Sequence, residues 1–125
     1  MKDLTTSKNP LSSKSFNLSV QIVNICKILR ARKTDSAIIN QLIKSGTSIG
    51  ANVMEANNSE SPKDFIHKLA IAQKEAAETH YWLKLLLETK YISIQEYESM
   101  NGLAIEALKM IKSIIKTTKL KYSGK

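Results

Sequence analysis

Four lysines spaced three or four residues apart, Lys109, Lys112, Lys116 and Lys119, are the side chains whose type and spacing point most directly to chemistry. On a helix they fall within about 80° of one another and run about 15 Å along the axis. A row of cations of this kind suits a phosphate backbone, giving sequence-independent, salt-sensitive affinity for RNA or DNA. Lys27, Arg30, Arg32 and Lys33 form a second basic cluster. No aromatic residue is interleaved with the lysine row, so base stacking has little support. The competing reading is a solvated outer face whose cations complement the helix dipole near a C-terminus.

Other reactive types are arranged less suggestively. Helical bundles can host di-iron centres, which require two Glu-x-x-His motifs and two further inward carboxylates. This chain has Asp64-x-x-His67 once and no Glu-x-x-His, so neither a metal nor another cofactor is expected. His80 falls near a core stripe, as a partly buried imidazole. Cys26 lies on an apolar helix face and is expected to pack as a small hydrophobe. Glu55, Glu75 and Glu78 could pair as carboxylates in a cleft. No enzymatic activity is expected.

The positive charge is uneven along the 125 residues. Residues 1–35 carry seven Lys/Arg against two acids, residues 36–92 six against six, and residues 93–125 six against three. All three of those last acids precede Ala107, leaving the final segment purely basic. Such a balance bears on partners and not on fold. One cysteine excludes an internal disulfide and fits a reducing, cytoplasmic setting. The start of the chain has no apolar core of a secretory signal. No apolar run approaches the roughly 20 residues that span a bilayer, so no membrane partner is expected.

The elements that must position these residues are helices. From about Ser15 to Arg32, Leu18, Ile22, Ile25, Cys26 and Leu29 recur at helical spacing, with Phe16, Val20 and Val23 broadening the face. A second helix is expected from Ser36, a plausible N-cap, to Ala56, carrying Ile38, Leu42, Ile49 and Val53. Ser61–Pro62 is a start signal for a third, about 62–89, whose core stripe holds Phe65, Leu69, Ala72, Ala76, Leu83 and Leu87. Ser93 and Glu96 form a capping box for a fourth, with Tyr97, Met100, Ala104, Leu108, Ile111 and Ile115 running to about Thr117. The expected fold is all-α, an antiparallel up-down-up-down four-helix bundle over residues 15–118. A flexible polar segment is expected at 1–14 and a basic tail at 119–125.

Two features remain. Gly46 and Gly50 lie side by side on the second helix, each costing about 1 kcal/mol of helix propensity. Close approach of a neighbouring backbone explains them; the alternative is a helix broken near Gly46, with Thr47 capping a new segment. The third helix also carries Ile71, Trp82, Leu85 and Leu86 away from its core stripe, with Glu75 and Glu78 interleaved. A contiguous patch of this type marks an interface unless loops or the first helix cover it, and self-association is expected there.

The stretches "KSGTSIGANVME" (44–55) and "SPKDFIHKLAIAQKEAAETHYWLKLLL" (61–87) resemble the core pattern of the four-helix-bundle family of 23S rRNA-intervening-sequence proteins. The resemblance covers about residues 14–117. Lys44 stands where the family usually has arginine, which weakens any role needing a bidentate guanidinium there, and Met54 replaces a usual small residue. The resemblance implies an up-down bundle assembling into homopentamers, with some members encoded inside insertions of 23S rRNA genes. It is similar also to the accessory partner of a reverse transcriptase in diversity-generating retroelements, which implies a ribonucleoprotein or reverse transcriptase as a partner. No enzymatic activity is established for the family. The reading is a non-enzymatic homo-oligomer binding RNA or DNA through a basic surface. The alternative is a structural scaffold or adaptor for another protein.

Overall fold

The computed structural model describes residues 9–122. They form four helices, α1 (Pro10–Ala31), α2 (Ser36–Asn57), α3 (Pro62–Glu88) and α4 (Ile94–Tyr122), with no strand among the described residues. Each start has a local cause. The Asn9 side chain accepts from the Ser12 amide, with Pro10 supplying a preset φ at the first helical position. Asp35, not Ser36, caps α2 by accepting from the Ala37 amide at 2.8 Å. Ser61 accepts from the Asp64 amide at 3.1 Å, again with proline next. At α4 the capping box is complete: the Ser93 amide donates to Glu96 at 2.8 Å, and the Glu96 amide donates to the Ser93 hydroxyl at 3.0 Å.

Two ends are equally defined. Lys33 and Lys90 adopt positive φ, 57° and 67°. The next amide in each case reaches back five residues, Thr34 to Leu29 and Tyr91 to Leu86. This left-handed closure satisfies the last helical carbonyls before the chain reverses.

The helices pack in a ring in chain order, α4 returning onto α1, with α2 and α3 in closest contact. Lys14 pairs with Glu106, Ser99 donates to Gln21 and Arg32 pairs with Glu96, so α1 and α4 run antiparallel. The core is continuous through Leu18, Ile22, Leu29, Ile39, Leu42, Ile49, Leu69, Leu83 and Ile111, all fully buried. Full burial of such side chains contributes about 1.5–3 kcal/mol each. Within it the Thr79 and Ser45 hydroxyls meet at 3.0 Å, tying α3 to α2.

Several expectations are corrected. Helix α1 begins at Pro10, so residues 10–14 are helical and not a flexible segment, while α4 continues to Tyr122, through most of the expected tail. Residues 1–8 and 123–125 lie outside the described residues. Phe16 and Val20 face outward, at 59% and 43% exposure, because they stand about 160° and 200° round the helix from Leu18. Leu86, assigned to an oligomer interface, is fully buried. The core arc of α3 widens at its end, where the chain folds back through Tyr91 and Ile92.

Candidate functional site

The basic residues separate into two places. Lys109, Lys112, Lys116 and Lys119 are all exposed on α4, and among the described residues none is in an ion pair. Lys112, Lys116 and Lys119 surround a shallow depression of about 350 Å³ with Gln73, Ile115 and Leu120. Beyond Ile111, α4 buries no residue and lies beside the start of α3, against Pro62, Phe65 and Ile66. The stripe thus occupies one end of the bundle, level with or beyond the start of α1 at Asn9, which lies near Ile114.

The cluster at the end of α1 is at the opposite end. Sixteen residues of α4 separate Glu96 from Lys112, about 24 Å at helical rise, so the two clusters do not merge within one chain. Their members also differ. Lys27, Arg30 and Lys33 are exposed, but Arg32 is committed. Its guanidinium donates to both Glu96 carboxylate oxygens at 3.1 Å and to the Tyr91 carbonyl at 2.6 Å. It clasps the end of α1 to the α3–α4 turn, and is the one member of this cluster held in an ion pair among the described residues. The Arg32 hydrogen bonds, backed by the Ser93 amide and opposed by partial burial, hold the Glu96 carboxyl below its ordinary range.

On α3, Ile71, Glu75, Glu78, Trp82 and Leu85 are half-buried, and the exposed Tyr81 ring meets Trp82 edge-on at 5.0 Å. Burial raises the Glu75 pKa, with the neighbouring Glu78 charge adding to it and Lys74 and Lys44 opposing. Lys44 belongs to α2, so this face borders the α2–α3 groove.

A further surface went unread in the sequence. Phe16, Thr47, Gly50, Ala51 and Met54 line a groove of about 300 Å³ between α1 and α2, floored by Ser12, Ser15 and Ser19. The angular position of Phe16 relative to Leu18 carries the signal. Gly50 lines it while Gly46 packs inward against Ile22, and α2 runs unbroken through both. A Cβ on Gly46 would lie 2.8 Å from Ile22 Cγ1, and one on Gly50 3.3 Å from Ser19 Oγ.

His80 Nδ1 lies 2.7 Å from Asn101 Oδ1. Cys26 is buried, which raises its thiol pKa. Among the described residues no group of three or more His, Cys, Asp or Glu is placed to hold a metal ion, and no helix is long and apolar enough to cross a membrane.

Comparison with known proteins then places the chain. The family model described as 23S rRNA-intervening sequence protein matches residues 7–113. The chain belongs to that family. A solved structure from Bacteroides thetaiotaomicron, described as a protein of unknown function from the S23 ribosomal protein family, is 47% identical. It superposes with a TM-score of 0.82 over 85% of this chain and 98% of that one. No curated protein matches the chain. The family match begins at residue 7, earlier than the resemblance read from about residue 14, in keeping with a first helix that starts at Pro10.

Proposed function

We propose that this member of the 23S rRNA-intervening sequence family is a non-enzymatic, cytoplasmic homopentamer that binds RNA or DNA through the lysine stripe of α4. The observation that carries the reading is the set of four exposed lysines, Lys109, Lys112, Lys116 and Lys119, in no ion pair among the described residues. Unpaired cations at helical spacing can each displace a counterion from a phosphate, and the depression around Ile115 and Leu120 gives a sugar or base edge an apolar floor. The fivefold assembly is what the family resemblance implies. So is a partner in a ribonucleoprotein, a reverse transcriptase being one form, and the ribosomal label of the Bacteroides relative suits the same reading.

A salt titration with fluorescent single-stranded RNA tests it. Four lysines on four phosphates give a slope of log affinity against log salt of about −3 per copy. Reversing Lys112 and Lys116 to glutamate should weaken binding to all sequences similarly and flatten that slope. Absence of binding at low salt would sink the reading and favour a scaffold for another protein.

A further inference from the structure

Two flanks of the bundle expose apolar surface, with opposite charge beside it. On α1, Phe16, Val20 and Val23 share one outward strip with Lys27, and Arg30 borders it. On α3, Ile71, Trp82 and Leu85 share a strip with Glu75 and Glu78. The first strip borders the α1–α2 groove and the second the α2–α3 groove, so the two occupy neighbouring sides of the bundle.

The relative heights of these residues follow from the core contacts. Gly46 sits against Ile22, and Ser45 pairs with Thr79. Val23 on α1 and Glu78 on α3 therefore stand at nearly the same height. Both helices run in the same direction, so Lys27 and Trp82, four residues further along each, are level as well.

Rotation about an axis parallel to the helices leaves every height unchanged. A second copy produced by such a rotation, with its α1 flank against the α3 flank of the first, brings Lys27 to Trp82. Glu78 is then one turn away, about 6 Å along the axis. We propose that the α1 flank of one copy docks on the α3 flank of the next, with Lys27 over the Trp82 ring and within reach of Glu78.

The contact is head-to-tail because a self-complementary one would set Glu75 and Glu78 against their own copies, which like-charge repulsion opposes. Interfaces on neighbouring sides of a square bundle, roughly at right angles, close a ring of about four or five copies. Helix α2 then faces the ring axis and α4, diagonally opposite, is outermost. Lys27 and Arg30 thereby become assembly residues and not phosphate ligands.

The inference rests on the self-association proposed above. Light scattering on the full chain, Lys27→Glu, Glu78→Lys, Val20→Glu and the Lys27→Glu/Glu78→Lys double tests the two separately. Each single variant should shift the mass toward monomer, with at least tenfold weaker association, and circular dichroism should stay unchanged. The double should recover the parent mass. A monomeric parent defeats the self-association reading. An oligomeric parent whose mass ignores Lys27, Glu78 and Val20, or a double that fails to recover it, defeats only this pairing of faces.

Discussion

At the scale of single residues, glycine position decides the sign of a substitution. Gly46→Ala gains about 1 kcal/mol of helix propensity. It also drives a methyl group to 2.8 Å from the branched carbons of Ile22, which is itself locked in the core. Overpacking of this kind costs about 1–3 kcal/mol, so urea denaturation should show a net loss. Gly102→Ala on α4 meets nothing within 4 Å and should gain most of the propensity term. Equal responses at the two sites would refute the close-packing account. Glu96 supplies a pH prediction. Its folded pKa lies below the unfolded value of about 4.3. The stabilisation is therefore present above that value and is lost as pH falls through the lower folded pKa. Glu96→Gln should be less stable than the parent at pH 7, with the gap closing in acid below about pH 4. A gap independent of pH would show that the Arg32 clasp contributes nothing. The glycine pair and the capping box were legible because both are local in sequence. The fate of Leu86 and Arg32 was not, because burial of the first and pairing of the second depend on the α3–α4 turn folding back over the helix ends.

At the scale of elements, helix number and order were legible because each start carries a chemical signal and each apolar stripe has helical period. The ends were less so. The polar segment expected over 1–14 contains Pro10, yet with Asn9 before it that proline begins a helix. Phe16 and Val20 counted as apolar positions regardless of the face they occupy. Nor does sequence mark the left-handed residue at a helix end when it is lysine. Such a conformation costs a residue with a Cβ about 1 kcal/mol, a cost glycine avoids. Lys90→Gly should therefore raise stability by about 0.5–1 kcal/mol, since no ion pair of Lys90 is lost with it among the described residues. Thermal unfolding against Lys63→Gly, which lies in the first turn of α3 and is exposed, gives the contrast: that variant should fall in stability. A fall in both would mean that the left-handed turn depends on the lysine side chain.

At the scale of the whole molecule, charge and assembly make opposite predictions for one substitution. Copies related by rotation about an axis parallel to their helices present every α4 stripe at the same end of the ring, on its outermost element. A long RNA can then bridge several stripes, and linked binding of this kind raises affinity by about 10²–10⁴ over one stripe. Glu78→Lys adds two units of positive charge per chain, and electrostatics alone predicts tighter binding to RNA. If the ring depends on Glu78, the same change separates the stripes and removes the linkage. The expected result is weaker binding to long RNA by about ten- to a hundredfold, little change for an oligonucleotide that covers one stripe, and a salt slope for long RNA reduced toward about −3. Adding Lys27→Glu should restore long-RNA affinity along with mass, although it lowers the net charge. Tighter binding of Glu78→Lys to long RNA would show that the stripes act independently, and the basic surface would then be a property of the single bundle.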